Sequence, residues 1–236
     1  MKRIGLLSYM NNVFLGYIIK AFFQADLNVA AVILDSKDAT DKSIRIHEER
    51  TAGRMPLISL SELEKYKIPF FFFKNHNSEM CASFVKNYEL DILVNATTPR
   101  ILKAVILNAP SIGVVNFHPG LLPHFRGCTC VEWAIYLNQQ VGHTVHFMSE
   151  GIDEGPVIIQ EGLTFKKSDS YVDVRVKVYQ HGIKLLVKGV QQIIRDGLRP
   201  ECLPEQGKGT YYSVIPDEKM AKVIDILNCG QYRYQL

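Results

Sequence analysis

Residues 3–35, "RIGLLSYMNNVFLGYIIKAFFQADLNVAAVILD", carry three signals in order. RIGLLS (3–8) is a short apolar run bounded by polar residues, the pattern of a buried strand. NVFLGYIIKAFFQAD (12–26) spaces its apolar side chains at helical intervals. NVAAVILD (28–35) is strand-like again and ends on Asp35. A strand, a helix and a second strand in succession predict a crossover unit, because parallel neighbours cannot be joined by a tight hairpin. The opening therefore predicts a doubly wound α/β sheet. The first strand is not followed by G-x-G-x-x-G, which weighs against a nicotinamide dinucleotide site.

The alternation continues outward. DKSIRIHEERTAG predicts a charged helix ending at Gly53, and Ser59 with Glu62 three residues on predicts a capping box. IPFFFF reads as a strand, SEMCASFVKNYE as a helix, LDILVNA (90–96) as a buried strand, PRILKAVILNAP as helix or turn, and IGVVNFH as the next strand. CVEWAIYLNQ is helical; GHTVHFMSE and PVIIQEGLTF are strands. Residues 170–197 admit two readings. Val172, Val174, Val176 and Val178 alternate as in a strand, but the run is long, serines precede it, and Leu185, Leu186, Val190 and Ile194 continue at helical spacing. A long helix is expected. The whole amounts to a Rossmann-like, mostly parallel sheet of about seven strands over residues 1–197. Residues 198–236 form a Pro- and Gly-bearing extension with one short helix, too short for an independent domain.

With 236 residues, 47% hydrophobic and 22% charged, the chain has the composition of a soluble globular protein. A formal charge of +3 with no basic cluster weighs against a nucleic-acid partner and is compatible with an anionic small molecule. Neither a signal peptide nor an apolar run of membrane-spanning length is visible, so a cytoplasmic location without a membrane partner is expected. The five cysteines are odd in number, and C-x-C at Cys128 and Cys130 lacks zinc-ligand spacing, so no metal is expected. Trp133 is expected in the core, and His47, His124 and His143 on the surface.

The chemistry is expected at the carboxyl ends of the parallel strands. VVNFHPGLLPHFRG (114–127) ends a buried strand on an amide and an imidazole, Asn116 and His118, which share a face because one residue separates them. Asn95 ends the preceding strand. SEGIDEGP (149–156) places Asp153 between Gly151 and Gly155. Taken singly, Asn116 and Asp153 read as turn residues and His118 as a core histidine. Together they offer an amide donor for an oxyanion, an acid or base, and a carboxylate to orient it. No G-x-S-x-G elbow is present, so the nucleophile must come from a substrate.

NFHPGLLPHFRG, followed by HTVHFMSEGIDEGPVIIQE, closely resembles the folate-dependent formyltransferases, a family that includes glycinamide ribonucleotide, methionyl-tRNA and nucleotide-sugar formyltransferases. The resemblance rests on N-x-H-x-x-L-L-P and a later D-x-G after an H-x-M strand, and spans roughly residues 90–162. It implies that Asn116, His118 and Asp153 are catalytic, with Asn116 and a protonated His118 donating to the oxyanion and Asp153 keeping His118 charged. It implies 10-formyltetrahydrofolate as co-substrate. NATTPRIL (95–102) would line its pocket, with Asn95, Arg100, Ile101, Leu102, His146 and Glu150 in contact. Gly120 stands where the family usually has Ser, and Cys130 where many members have Pro.

For the acceptor, SYMNNVFLG after the first strand holds one late Gly, a poor cradle for a ribotide phosphate. The tRNA-directed members carry a larger C-terminal domain than residues 198–236. The tail QGKGTYYSVIPDEK resembles a segment of sugar N-formyltransferases. Lys208 could then meet a pyrophosphate and Tyr211 or Tyr212 stack on a base, although both tyrosines also read as packing residues. A nucleotide-linked amino sugar, as in O-antigen synthesis, is the expected acceptor. Glycinamide ribonucleotide, hydrolysis of formylfolate and a non-catalytic binding protein on the same fold remain the alternatives. By resemblance alone, a homodimer through the C-terminal segment is plausible.

Overall fold

The computed structural model describes residues 1–38 and 40–236. The chain opens with β1 (Ile4–Tyr9), α1 (Leu15–Gln24) and β2 (Val29–Asp35). It continues through α2 (Asp41–Thr51), α3 (Leu60–Leu63), β3 (Phe70–Phe73), α4 (Glu79–Asn87), β4 (Ile92–Asn95), α5 (Ala104–Leu107) and β5 (Gly113–His118). Then come β6 (Arg126–Gly127), α6 (Cys130–Tyr136), β7 (Gly142–Phe147), β8 (Val157–Gly162), α7 (Tyr171–Asp196), β9 (Tyr211–Tyr212) and α8 (Asp217–Asn228).

Among the described residues, a seven-stranded sheet runs β3-β2-β1-β4-β5-β7-β8. β1 to β5 pair in parallel, and β7 and β8 add as antiparallel strands. This is the α/β, mostly parallel sheet expected from the opening unit. Strand order reverses between β1 and β4, and such a switch point leaves a crevice at the strand ends. Register fixes what faces that crevice. Val94 pairs with Val115 across β4 and β5, and Asn116 pairs with His146 across β5 and β7. Asn95, Asn116 and His146 therefore form one row over three neighbouring strands.

Alternate strand residues feed two cores. Leu6, Val32, Leu34, Val94, Val115 and Val145 pack with α1 and α7, while Leu7, Ile33, Leu93 and Val114 pack with α4 and α5. The valines of 172–178 are helical. Ser170 caps α7 through a reciprocal box with Asp173, and Gly197 ends it at φ 65°. Helical spacing buries Val174, Val178, Leu186, Val190 and Ile193 on cores that a lone strand there would not reach. The capping box at Ser59 and Glu62 forms as expected.

The extension returns to the main body. β9 pairs with β6, Arg126 opposite Tyr211, and Val223 and Leu227 of α8 join a third core with Val131, Ala134 and Ile135 of α6. The two-residue β6–β9 ribbon has no periodic signal in the sequence. Two histidines depart from expectation. His47 is buried, with Nε2 2.9 Å from the Met55 carbonyl and its ring edge-on to Phe14; His143 is buried beneath Gly182 of α7. Their neighbours come from distant segments, so local polarity misled. His124 is exposed as expected. Trp133 is half-buried rather than core, because its Nε1 donates to the Ser213 carbonyl at 2.8 Å near the surface. Among the described residues no helix is long and apolar enough to cross a membrane.

Candidate active site

β5 turns Asn116 and His118 to one face and packs Phe117 against the α1–α7 core. Asn116 Oδ1 accepts from Asn95 Nδ2 at 3.0 Å, and Asn116 Nδ2 lies 3.2 Å from His146 Nε2. His146 Nδ1 donates to the Phe147 carbonyl at 2.8 Å, which leaves Nε2 as an acceptor. Burial pushes the His146 pKa down to about 4, more than the Asp153 carboxylate raises it, so the ring is neutral near pH 7.

His118 is arranged differently from the expectation. Its Nε2 donates to the Phe125 carbonyl at 2.7 Å, and its Nδ1 lies 3.3 Å from Asp153 Oδ2. Both ring nitrogens are thus committed to neighbours. Burial holds the pKa of His118 below that of an ordinary histidine and outweighs the opposing pull of Asp153 and of the Phe125 carbonyl. The ring thus stands behind Asp153, with Nε2 turned to a backbone carbonyl and Nδ1 to a carboxylate. Gly120 explains the close approach. A Cβ there would stand 2.6 Å from both His118 Nε2 and the Phe125 oxygen.

Asp153 sits in the loop between β7 and β8 at φ 55°, a left-handed conformation that Asp tolerates. Its Oδ2 accepts from the Gly127 amide at 2.9 Å, and its Oδ1 lies 3.7 Å from His146 Nε2. Gly155 lets the loop fold onto the end of β7, since any Cβ would overlap the Phe147 carbonyl. Gln206 of the extension donates to the carbonyls of Asp153 and Gly155. Nothing in PEQGKG marked Gln206 beforehand, because its partners are backbone atoms some fifty positions earlier.

Asn95, Asn116, His146 and Asp153 meet at a cavity of about 380 Å³, with Arg100, Ile101, Leu102 and Glu150 also in its wall. Every residue expected at a folate pocket is thus brought together. The Arg100 head is not free: Nε donates to Asp35 Oδ2 at 2.8 Å. Ile101 is exposed at the mouth and Leu102 is buried. The three residues expected at the acceptor are dispersed. Lys208 lines a second cavity of about 670 Å³ with Arg126, Ser149, Glu154, Glu201 and Glu205. Tyr211 is exposed. Tyr212 stacks on Phe125, ring centroids 5.3 Å apart, and tilts against Trp133, so it packs rather than presenting a base platform.

The turn after β1 closes on itself. Asn12 Oδ1 accepts from the Phe14 amide at 2.8 Å, its Nδ2 donates to Ser8 Oγ and the Ala96 carbonyl, and the Asn11 amide donates to Asp38. Two of the turn's amides, those of Asn11 and Phe14, are thereby occupied.

Residues 2–190 match the sequence model of the family described as "Formyl transferase". A methionyl-tRNA formyltransferase of Clostridium tetani is 26% identical over 188 residues, 77% of this chain and 60% of the relative. The chain thus matches less than two thirds of that relative's length. A phosphoribosylglycinamide formyltransferase from Anaplasma phagocytophilum superposes with a TM-score of 0.66 at 22% identity, over 90% of this chain and 99% of the other. A sugar N-formyltransferase from Shewanella gives 0.61 at 19%, over 92% and 78%. At these identities the two structures share the fold.

Proposed function

Because the chain belongs to the formyl transferase family, we propose that it moves a formyl group from a formylated tetrahydrofolate to an amine, using the cavity at the β4–β5 strand ends. The observation that carries this reading is the convergence of Asn116, His146 and Asp153 on one wall of that cavity. Its other walls suit a flat heteroaromatic ring with polar edges, since Leu102, Met148 and Ile152 are apolar and Ser149 and Glu150 are polar.

The folate supplies a formyl carbon bonded to nitrogen. Asn116 directs the second hydrogen of its Nδ2 at the formyl oxygen and meets the charge that grows there as the amine attacks. Asp153 receives the proton that the amine sheds. His118, with Nδ1 3.3 Å behind Asp153, shares that proton and so acts through Asp153. The pair returns the proton to the departing folate nitrogen. One carbon–nitrogen bond forms, one breaks, and the amine proton ends on the folate.

For the acceptor we favour a nucleotide-linked amino sugar. The closed β1 turn offers a poor seat for a ribotide phosphate. The second cavity adjoins the loop of Asp153, shares Ser149 with the first, and pairs the cations Arg126 and Lys208 with three carboxylates. Cations suit a diphosphate and carboxylates suit sugar hydroxyls. In this reading residues 1–197 carry the chemistry and 198–236 complete the acceptor side. The test is incubation with 10-formyltetrahydrofolate and a panel of amino-sugar nucleotides and glycinamide ribonucleotide, read by mass gain. Gain on a sugar nucleotide supports the reading. Gain on glycinamide ribonucleotide alone overturns the acceptor, and gain on none overturns the transferase.

A further inference from the structure

We infer that Asn95 is a positioning residue for Asn116: a one-directional chain of hydrogen bonds through Asn95 sets which way the Asn116 amide faces. The inference rests on the reading of Asn116 as the oxyanion donor.

The chain crosses three strands. The Thr98 amide donates to Asn95 Oδ1 at 2.8 Å, Asn95 Nδ2 donates to Asn116 Oδ1 at 3.0 Å, Asn116 Nδ2 meets His146 Nε2 at 3.2 Å, and His146 Nδ1 donates to the Phe147 carbonyl at 2.8 Å. Both ends are backbone groups with fixed roles. A peptide N–H can only donate, so the oxygen of Asn95 must face Thr98 and its nitrogen must face Asn116. A peptide carbonyl can only accept, so the hydrogen of the His146 ring sits on Nδ1 and Nε2 offers a lone pair. Asn116 is caught between a donor and an acceptor. Turning its amide over would set nitrogen against the Asn95 nitrogen and oxygen against the His146 lone pair.

The starting end is itself held. Thr97 adopts φ 58°, a conformation that β-branched residues rarely take, and this bends the Thr98 amide back toward Asn95. The side chain of Asn12 donates to the Ala96 carbonyl in the same turn. Asn116 lines the cavity, and His146 takes one hydrogen of its Nδ2. The second hydrogen is then directed by the chain rather than by the substrate. Asn95 also lines the cavity, but its oxygen and one hydrogen of its Nδ2 are engaged in this chain. Its effect should therefore fall on turnover rather than on folate binding.

The test uses Asn95→Leu, which keeps bulk and deletes the donor, and Asn95→Ala should the larger side chain disturb folding. Circular dichroism checks the fold, and single-turnover and steady-state kinetics are measured in wild-type and Asn116→Ala backgrounds. The expected result is a fall in kcat of about tenfold with KM for the formyl donor within about twofold. In the Asn116→Ala background the same substitution should change kcat by less than about twofold, because its target is gone. A raised KM with unchanged kcat, or the same tenfold loss without Asn116, overturns the inference. Near-normal turnover of Asn116→Ala alone would instead remove the underlying reading of Asn116.

Discussion

Gln206 grips the Asp153 loop from one side-chain nitrogen, donating to the Asp153 carbonyl at 3.1 Å and to the Gly155 carbonyl at 2.6 Å. Its own oxygen accepts from Arg126 Nη2 at 3.1 Å, which fixes the amide orientation. The match to the family ends at residue 190, so this grip comes from outside the matched segment. The loop carries a carboxylate in a left-handed conformation.

Gln206→Ala should therefore lower kcat by about tenfold, since displacements on the order of 1 Å at reacting groups cost up to about a hundredfold. The fold should survive, because Gln206 packs in no core cluster. Steady-state kinetics with a thermal melt checks this; unchanged turnover would show that the loop holds itself.

Gly120 tests the seating of His118. Gly120→Ala and Gly120→Ser should both depress kcat by about tenfold or more, and to similar extents, because the obstacle is the Cβ that would lie 2.6 Å from His118 Nε2. A fully active Gly120→Ser would mean that the Phe125 carbonyl yields readily and that this contact is unimportant.

Glu132 is buried between Arg175 at 3.3 Å and Arg50 at 3.4 Å, and accepts from Tyr171 Oη at 2.6 Å. Removing it strands the buried guanidinium of Arg175. Glu132→Ala should lose about 3–5 kcal/mol in urea unfolding, and Glu132→Met with Arg175→Met should lose less. Equal losses would show that packing volume, not the unpaired charge, sets the cost.

The buried histidines make stability depend on pH. Burial lowers the pKa of His76, His118, His143 and His146 from the ordinary 6.5. The unfolded chain thus binds more protons below pH 6.5, and stability present above 6.5 is lost as pH falls toward the lowered values. The melting temperature should drop between pH 7 and pH 5; an unchanged or higher value at pH 5 contradicts neutral burial.

Residues 3–35 were enough to read the sheet, because buried parallel strands are apolar runs and the connecting helix has its own period. Asn116 and His118 were legible as a pair on one face for the same reason of periodicity. The seat of His118 was not, because its Nε2 meets the Phe125 carbonyl beside Gly120 and such backbone contacts leave no trace in residue type. Gln206 and the β6–β9 ribbon were hidden because their bonds run through backbone atoms, which leave no trace in residue type. Tyr212 shows the converse: an aromatic in a promising motif finds Phe125 before it finds a ligand.

The most direct test of formyl transfer at this site is turnover of Asn116→Ala, assayed with 10-formyltetrahydrofolate and the acceptor that gains mass with the wild-type protein. Removing an oxyanion donor typically costs about a hundred- to a thousandfold in rate. The account predicts a folded protein with turnover reduced by at least about a hundredfold. A folded variant that keeps more than roughly a tenth of wild-type turnover would contradict it, since so small a loss is not that of a principal oxyanion donor.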